Sequence, residues 1–391
     1  MRSSHALSGN KNKKYFMKER SLYIHIPFCR KKCRYCDFYS IEYQKEISFD
    51  YIDILCGQIS KLKGSFSSIY IGGGTPSILD LTLWKTLLMS LSDLAKKSQE
   101  FTVEVNPESL NRDKILLFRD RGVNRLSLGI QSFDNIKLKK LGRIHSQEEA
   151  VTKLILAKDN GFENISIDLI FGVWGQNFDI WEKELETAVN LPIKHISIYC
   201  LSYESGTPIF KQLKEKKIIP LDENLVIKMH KYNNKYLSKK GFIQYEVSNY
   251  AKKGYESMHN MNYWKNNEYL GLGPGAVSFI DGIRQRNVGD VRDYLSRVVR
   301  GKKVVVFKEK LSPLKRAKES AALKIRTKEG IIFHWFKVQT GFDFMDIESK
   351  SIDELIQNGL IRYKIHGNTK IGIYLTPKGF LFSDTVSSSF L

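Results

Sequence analysis

The sequence lacks long apolar runs and a recognisable export signal. No stretch of about 18 uninterrupted apolar residues occurs, so the sequence predicts no membrane-spanning helix. The first 20 residues are basic and contain no apolar segment of the kind that a secretory signal requires. We interpret residues 1–20 as a disordered basic tail, or as sequence upstream of a start at Met17, and we expect a cytoplasmic protein.

Extremes of composition are absent as well. Hydrophobic residues make up 42% of the 391 residues and charged residues 27%, which excludes a wholly disordered or fibrous chain. At about 150 residues per domain, this length predicts two or three domains, or one large α/β unit with an appendage. The net charge of +20 favours anionic partners such as a membrane surface, an anionic cofactor or nucleic acid, without choosing among them.

Cysteines are few, but three of the five lie within eight residues, in IHIPFCRKKCRYCDF. In a reducing compartment, clustered cysteines indicate a metal or redox site and not a disulfide framework. A structural zinc site commonly uses two CxxC pairs, and the sequence has no second pair. The CxxxCxxC spacing of Cys29, Cys33 and Cys36 instead predicts a [4Fe–4S] cluster held by three thiolates. Cys56 and Cys200 stand alone and are interpreted as buried small side chains.

Short β-rich segments alternate with helical patterns over the first 220 residues. We predict strands at residues 22–26, 68–72, 101–105, 124–130, 164–170 and 195–201. The clearest helical patterns between them lie at residues 81–97, 113–121 and 147–160. Repeated strand–helix alternation is typical of a parallel sheet, so the sequence predicts an α/β fold.

Polar side chains recur near the C-terminal ends of three predicted strands. Alternation along each strand places Glu104, Gln131 and Asp168 on the face opposite to the apolar residues. Because the C-terminal ends of parallel strands meet at one mouth of a barrel, these side chains predict a shared site. The alternative is that each one only caps a helix or satisfies local backbone.

A glycine triplet follows the second predicted strand directly, in GGGTPS at residues 72–77. Consecutive glycines permit positive φ and a close approach of the backbone to a ligand. The segment has neither the GxGxxG spacing of a dinucleotide fold nor the GK[ST] of a P-loop. It therefore indicates a specialised turn at the predicted site.

These features together resemble the radical S-adenosylmethionine (SAM) superfamily, in which an aromatic residue such as Tyr35 commonly precedes the third cysteine. A longer set of segments resembles the oxygen-independent coproporphyrinogen III oxidase-like group: YIHIPFC, IYIGGGTPS, VEVNPE, RLSLGIQSF, LGRIHS, IDLIFG and QYEVSNYAKKGYESMHNMNYW. The resemblance implies a partial (β/α)₆ TIM barrel over residues 21–220 that binds a [4Fe–4S] cluster and SAM.

The resemblance also implies roles for individual residues. It assigns the cluster to Cys29, Cys33 and Cys36. It assigns SAM contacts to Tyr23, Tyr35, Gly73, Gly74, Thr75, Glu104, Gln131, Arg143 and Asp168. The chemistry is suitable, because a carboxylate such as Glu104 accepts hydrogen bonds from a ribose or an amino group, and Arg143 can pair with a carboxylate in a bidentate manner.

Two details favour the heme-chaperone branch of this group over the porphyrinogen enzyme. The enzyme resembles CxxxCxxCxC, whereas Phe38 occupies the position of the fourth cysteine here. The segment HNMNYW, residues 259–264, resembles the HNxxYW signature of the chaperone branch. That resemblance implies heme binding by His259, Asn260, Tyr263 and Trp264, with an imidazole for iron and flat aromatic surfaces for the porphyrin.

The resemblance therefore implies a chaperone that binds heme and delivers it to apo-hemoproteins, dependent on the [4Fe–4S] cluster. The alternative is an oxygen-independent coproporphyrinogen III oxidase, which would use SAM to form a radical that abstracts hydrogen from a substrate propionate. The positive charge is compatible with heme propionates and with peripheral association at an anionic membrane. The sequence leaves open whether the chain forms a homodimer.

The last third of the chain divides into two predicted parts. Residues 221–303 form a family-specific extension that contains the HNxxYW motif, and residues 304–391 form a winged-helix-like domain. In the latter we predict helices at residues 314–326, 331–338 and 352–358, followed by a hairpin around HGNTK. A winged helix on a basic chain makes nucleic-acid binding a lesser alternative. Because its second and third helices are not densely basic, we favour a role facing protein or substrate.

Overall fold

The protein is described by a computed structural model over residues 20–391. The predicted tail at residues 1–20 lies outside the described residues, except for Arg20, which begins the first strand. The first eight strands are β1 (Arg20–Ile26), β2 (Phe28–Cys29), β3 (Ile41–Glu42), β4 (Ser68–Gly73), β5 (Glu100–Val105), β6 (Arg125–Gln131), β7 (Asn164–Phe171) and β8 (His195–Cys200). Six of them pair in parallel in the order β1-β4-β5-β6-β7-β8, and β2 and β3 form a separate parallel pair. The predicted α/β fold with a partial barrel of six parallel strands is confirmed.

Helices connect these strands and cover the outer face of the barrel. They are α1 (Lys45–Ile59), α2 (Leu81–Ser90), α3 (Ser92–Ala95), α4 (Arg112–Asp120), α5 (Asn135–Leu141), α6 (Gln147–Asp159), α7 (Phe178–Asn190) and α8 (Pro208–Lys214). Helix α6 begins as its sequence predicts, because the Ser146 side chain accepts a hydrogen bond from the Glu149 N–H at 3.2 Å. None of the described helices is both long and apolar enough to cross a membrane.

The strands separate an apolar outer face from a polar interior. On β1, for example, Leu22, Ile24 and Ile26 are fully buried in the main core. Successive side chains of a strand point to opposite faces, so Ser21 and Tyr23 of the same strand face inwards. The same alternation along the other strands gives the barrel an interior lined by hydroxyls, carboxyls, imidazoles and a guanidinium.

The extension lengthens the sheet at both edges. It contains α9 (Glu223–Lys239), β9 (Ile243–Gln244), β10 (Asn249–Ala251), α10 (Met258–Trp264), β11 (Glu268–Leu272), β12 (Val277–Ile280), β13 (Ile283–Asn287), α11 (Val291–Val299) and β14 (Val305–Lys310). Strand β10 pairs with β8, and β11 pairs with β1. Strand β14 pairs with β13, so these six residues belong to the main sheet and not to the C-terminal domain, whose boundary the sequence analysis drew at residue 304.

The C-terminal domain has its own core and a winged-helix-like order of elements. It consists of α12 (Pro313–Lys324), β15 (Ile331–Ile332), α13 (Phe333–Thr340), α14 (Phe344–Gln357), β16 (Ile361–His366), β17 (Thr369–Leu375), α15 (Pro377–Leu381) and α16 (Ser383–Ser388). The predicted hairpin is confirmed as β16 and β17. The predicted helix at residues 331–338 begins two residues later, because Ile331 and Ile332 pair with β17. The third helix, α14, carries four acidic side chains and one lysine, which does not favour a DNA-reading role.

Candidate functional site

The three clustered cysteines lie at the mouth of the barrel, the end at which the parallel strands finish. Cys29 ends β2, and Cys33 and Cys36 lie in the loop that follows. All three are partly buried and line one cavity of about 560 Å³, which we call the mouth cavity. Two of the sulfur atoms accept hydrogen bonds, from Thr75 Oγ1 to Cys29 at 3.6 Å and from Arg143 Nη1 to Cys33 at 3.4 Å.

The donor set suits the predicted cluster, because three thiols of one loop face the same cavity. Over residues 20–391, no three His, Cys, Asp or Glu side chains converge as ligands of one metal ion. Burial, followed by the neighbouring thiols, raises the pKa of Cys36 to about 11, so that thiol needs a bound cation to ionise at neutral pH.

The sequence analysis expected the two remaining cysteines to be buried. In the structure one is partly buried and the other is exposed. Cys56 is partly buried on α1, where its thiol faces the Thr86 carbonyl at 3.8 Å. Cys200 is exposed, because it is the last residue of β8 and the strand ends at the mouth cavity. The prediction of a buried side chain at Cys200 is therefore wrong.

The glycine segment passes close to the strand that precedes the cysteine loop. Gly73 has a φ of +115°, and a Cβ atom there would lie 2.6 Å from His25 Nδ1. A Cβ atom at Gly74 would lie 2.6 Å from the Phe28 carbonyl oxygen. Only glycine fits at these two positions, and both line the mouth cavity. The backbone is therefore presented directly to whatever occupies the cavity.

Two carboxyl groups face the mouth cavity from β5 and β7, the strands on either side of β6. Glu104 accepts a hydrogen bond from Tyr70 Oη at 2.7 Å and one from the Gly73 N–H at 3.1 Å. Burial, with a contribution from Asp168, raises the pKa of Glu104 to about 7. Burial also raises the pKa of Asp168 to about 6. Both groups therefore change charge near neutral pH, which is typical of carboxyls at functional sites.

Gln131 and Arg143 also line the mouth cavity. Gln131 has a φ of +69°, a left-handed conformation that is uncommon outside glycine. Arg143 Nη2 donates to the Gly129 carbonyl at 2.7 Å, and its Nε is buried without a partner. Strained backbone and unpartnered buried donors cluster where a ligand binds, so this part of the cavity fits a polar occupant.

The structure brings together the predicted cluster ligands and all but one of the predicted SAM residues. The mouth cavity is lined by Cys29, Cys33, Tyr35, Cys36, Gly73, Gly74, Thr75, Glu104, Gln131, Arg143 and Asp168. Tyr23 lies deeper in the barrel and donates to or accepts from His25 Nδ1 at 3.0 Å. The sequence analysis missed Asn106, Glu108 and Tyr199, which also line the cavity. Their position just after, or at the end of, a predicted strand is the signal that would have identified them.

The HNMNYW motif lies at the other end of the barrel, which we call the base. Its helix α10 packs against β1 and β4, and His259 is only 1% exposed. The two ring nitrogens of His259 are engaged, Nδ1 with Ser68 Oγ at 2.9 Å and Nε2 with Tyr263 Oη at 3.0 Å. The ring also stacks on Tyr70, with 4.9 Å between centroids. Burial, followed by the charge of Arg125, lowers the pKa of His259 to about 3, so the imidazole is neutral.

The four motif residues do not form one open surface. Glu100 accepts hydrogen bonds from the N–H groups of Met258 and His259, each at 3.0 Å, and so fixes the start of α10. Trp264 turns towards the C-terminal domain, where the Arg326 guanidinium lies 5.4 Å from its ring. No ring nitrogen of His259 is open to an iron atom in this conformation. Heme ligation by His259 stays a prediction, and it requires one of the two hydrogen bonds of its ring nitrogens to break.

Comparisons with known proteins place this site in a family. The family model of the radical SAM superfamily matches residues 23–188. A protein named heme chaperone HemW from Lactococcus lactis is 35% identical over 378 residues, covering 96% of this chain and 98% of that protein. The chain belongs to the HemW family. A second HemW, from Bacillus subtilis, is 33% identical over 380 residues and covers 95% of this chain and 99% of its own.

A solved structure supports the same fold for this HemW-family chain. Coproporphyrinogen III oxidase (HemN) from Escherichia coli, described as a radical SAM enzyme, matches with a TM-score of 0.81 at 21% identity. The match covers 95% of this chain and 90% of that one, so the shared fold includes the C-terminal domain. The predicted resemblance to the heme-chaperone branch of this group is confirmed.

Proposed function

We propose that the chain binds heme and delivers it to apo-hemoproteins, with a [4Fe–4S] cluster and SAM in the mouth cavity. The observation that carries this proposal is similarity along nearly the whole chain to proteins named as heme chaperones. The open mouth cavity, with three thiols on one side and two carboxyls on the other, supports the cofactor part of the proposal.

The residues of the mouth suit the two cofactors. Cys29, Cys33 and Cys36 would hold the cluster, which supplies one-electron chemistry when bound. The backbone at Gly73 and Gly74 would receive the amino group of SAM, because no side chain separates it from the cavity. Glu104, Gln131 and Asp168 offer polar contacts to the ribose and adenine. Arg143, whose Nε is unpartnered, offers a cation for the SAM carboxylate.

The cysteine loop supports the chaperone over the porphyrinogen enzyme. Phe38, at the position of the fourth cysteine, is 67% exposed and presents an apolar ring at the mouth. An exposed aromatic side chain beside a cofactor site suits contact with a flat ligand or a protein partner. A fourth thiol, which the enzyme's pattern would require, is absent at this position.

The test compares heme transfer with enzymatic turnover. Protein with a reconstituted cluster is mixed with heme, and the Soret band is followed on addition of apomyoglobin. We expect stoichiometric heme binding, transfer to apomyoglobin, and no protoporphyrinogen IX from coproporphyrinogen III in the presence of SAM and dithionite. Cluster-free protein is the control for dependence on the cluster. Turnover of coproporphyrinogen III, or absence of heme binding, would contradict the proposal.

The positive charge supports peripheral association of this chaperone with anionic membranes. With a net charge of +20, the chain would be attracted to a surface that carries acidic lipids. Sedimentation with phosphatidylglycerol vesicles, compared with phosphatidylcholine vesicles, tests this part. We expect binding to the anionic vesicles that weakens as salt is added. Equal binding to both vesicle types would contradict it.

A further inference from the structure

A second cavity lies inside the barrel, between the mouth cavity and helix α10. Its volume is about 240 Å³, and we call it the inner cavity. It shares Glu104, Ser127, Asp168 and Tyr199 with the mouth cavity, so the two adjoin. Its deeper lining consists of polar or aromatic side chains: Tyr23, Tyr70, Arg125, His259, Asn260 and Tyr263.

Arg125 is the unusual member of this lining. It is 2% exposed, and Nη1 makes a long hydrogen bond of 3.5 Å to Thr102 Oγ1. Its Nε is buried without any partner. Among residues 20–391, no carboxylate forms an ion pair with its guanidinium. Arginine does not lose its proton in proteins, so this charge stays buried without an ion-pair partner among the described residues.

The groups around Arg125 do not replace a counter-ion. His195 and His259 are kept neutral, because burial and the charge of Arg125 lower the pKa of both. Their hydrogen bonds go elsewhere, His195 to Ser166 and Tyr245 and His259 to Ser68 and Tyr263. Glu104 and Asp168 line the same cavity and form no ion pair with Arg125, although the charge of Arg125 counters the rise in the pKa of both carboxyls. An anion that enters the inner cavity would therefore meet an available guanidinium.

We propose that the inner cavity binds a carboxylate and that Arg125 is its counter-ion. The planar guanidinium matches a planar carboxylate through two parallel N–H bonds. The cavity is smaller than the about 300–1,000 Å³ of pockets for whole drug-sized ligands. It therefore takes a small acid, or the acidic arm of a larger molecule whose body stays in the mouth cavity. That this arm is a heme propionate rests on the proposed function, whereas the carboxylate site itself does not.

The first experiment is thermal unfolding of the full chain with sodium propionate, at an ionic strength held constant with sodium chloride. Propionate should raise the unfolding temperature, because a ligand that binds only the folded state stabilises it. Propionamide, the neutral isostere, should have no such effect. In Arg125→Gln we expect the apparent propionate affinity to fall at least about tenfold. Equal responses to propionate and propionamide, or equal responses of the two proteins to propionate, would overturn the proposal.

Stability without propionate separates a ligand-binding role from a structural one. Replacing an unpaired buried charge removes its desolvation cost, so Arg125→Gln should unfold at or above the wild-type temperature. A clearly lower temperature would assign Arg125 to the fold and overturn the proposal. Arg284→Gln is the matched control. It removes a guanidinium paired with Glu319 at 2.7 Å, outside both cavities, so stability should fall while the propionate response stays.

A second variant covers the case in which Arg125→Gln does not fold. Arg125→Lys keeps the charge but not the fork of donors, so it should respond to propionate more weakly than the wild type. A wild-type response in Arg125→Lys would overturn the bidentate pairing. SAM binding is measured on the same variants. Loss of SAM affinity with an unchanged propionate response would overturn the proposal by assigning Arg125 to SAM.

The last arm identifies the source of the carboxylate. Metal-free protoporphyrin IX and its dimethyl ester are titrated by fluorescence, so that iron ligation makes no contribution. If the arm is a porphyrin propionate, the free acid should bind at least about tenfold more tightly than the ester, and Arg125→Gln should remove the difference. If acid and ester bind equally while propionate still depends on Arg125, the site is supported and its occupant is a small acid. Absence of all porphyrin binding would count against the proposed function and leave the propionate result intact.

Discussion

The two ends of the barrel differ in how far their predicted ligand-binding side chains are exposed to a cavity. At the mouth, three thiols are partly buried, Arg143 Nε has no partner, and a cavity of about 560 Å³ separates the groups. At the base, His259 is 1% exposed and both of its ring nitrogens are hydrogen-bonded. The mouth presents its thiols and Arg143 to an open cavity, whereas at the base the imidazole of His259 is used to hold α10 on the barrel.

This difference shows that a motif containing histidine and aromatic residues is not by itself an open ligand site. The α10 helix is held to the barrel wall by Ser68 and Glu100, from two different strands. Iron could reach His259 only after Ser68 releases Nδ1 or Tyr263 releases Nε2. Substitutions of the three thiols at the mouth should therefore affect cofactors with little change in stability, whereas substitution of His259 at the base should affect stability first.

The largest expected effect is at the cysteine loop. Substituting Cys29, Cys33 and Cys36 together with alanine should abolish the cluster, because no other described thiol pair can replace them. The iron content and the brown absorption of anaerobically reconstituted protein measure this loss. The free energy of unfolding should change by no more than about 0.5 kcal/mol for each half-buried position.

The matched control is the double variant Cys56→Ala with Cys200→Ala. Cys200 lines the same cavity but lies on β8, outside the CxxxCxxC segment. We expect this variant to keep a full complement of iron. If the triple variant kept its cluster, or if the control variant lost it, the assignment of Cys29, Cys33 and Cys36 as the cluster ligands would be wrong.

The second largest effect concerns the loops around the mouth, which buried hydrogen bonds hold in place although the cavity is open. Glu184 is 2% exposed and binds Lys137 Nζ at 2.6 Å, the Phe133 N–H at 2.8 Å and Gln176 Nε2 at 3.1 Å. It thereby joins the loop after β6 to the loop after β7. Because Glu184→Ala leaves Lys137 buried without a counter-ion, unfolding in urea should require about 3–5 kcal/mol less.

Two further variants check the cause of that loss. Asp93→Ala removes an exposed pair with Lys96, so it should cost at most about 1 kcal/mol. The double variant Glu184→Leu with Lys137→Met removes both buried charges and should recover most of the stability. No recovery in the double variant would mean that backbone contacts of Glu184, and not the charge of Lys137, determine the effect.

The third effect concerns the base. His259→Ala leaves Ser68 and Tyr263 without their buried partner, so the free energy of unfolding should fall by about 1–3 kcal/mol. Urea unfolding of the cluster-free chain measures this loss. An unchanged free energy would contradict the closed base.

Tyr263→Phe then tests whether the same histidine also binds iron. It removes only the hydroxyl that engages His259 Nε2, at an expected cost of about 1 kcal/mol in stability. If iron uses Nε2, heme affinity should rise in this variant and fall in His259→Ala. If both variants keep wild-type heme affinity, His259 serves the fold alone.

The smallest effect is a pH dependence at the mouth. Burial raises the pKa of Glu104 to about 7 and that of Asp168 to about 6, so both carboxyls ionise between about pH 5 and 8. SAM carries positive charge, which the ionised form attracts, so its dissociation constant should fall about tenfold between about pH 6 and 8. Glu104→Gln should remove the part of this pH dependence that is centred near pH 7. An equal pH dependence in that variant would contradict the role of Glu104.

Without SAM, the same two carboxyls should make the fold less stable as the pH rises. Their pKa values are higher in the folded chain than in the unfolded chain, so the folded chain holds the protons more tightly. Stability is therefore greatest below the unfolded pKa and falls as the pH rises through about 6 and 7. Urea unfolding at several pH values, with Glu104→Gln alongside, measures this contribution.

Much of the mouth could be predicted because its signals are local. The spacing of Cys29, Cys33 and Cys36 is a property of one loop, and the glycines of residues 72–77 follow one strand. Alternation with a period of two identifies the inward side of each strand, which is why Glu104 and Asp168 are found in one cavity. The order of elements in the C-terminal domain follows from the same local patterns.

The base could not be predicted, because its contacts join residues far apart in the chain. His259 and Ser68 are 191 positions apart, and no local pattern indicates that they meet. The unpartnered Nε of Arg125 could not be predicted either, because it depends on which side chains pack around the guanidinium. The same holds for β14, which follows the predicted boundary at residue 304: its pairing with β13 joins it to the main sheet.

The sequence by itself determined the family, the α/β alternation and the ligand chemistry of the mouth, since each depends on spacing and side-chain type. The tertiary structure alone decided which of these polar groups are free. Packing decides which groups meet and which face a cavity. It gives both ring nitrogens of His259 a hydrogen-bond partner at the base and leaves Cys200 exposed at the mouth. It also buries Arg125 without an ion-pair partner among the described residues.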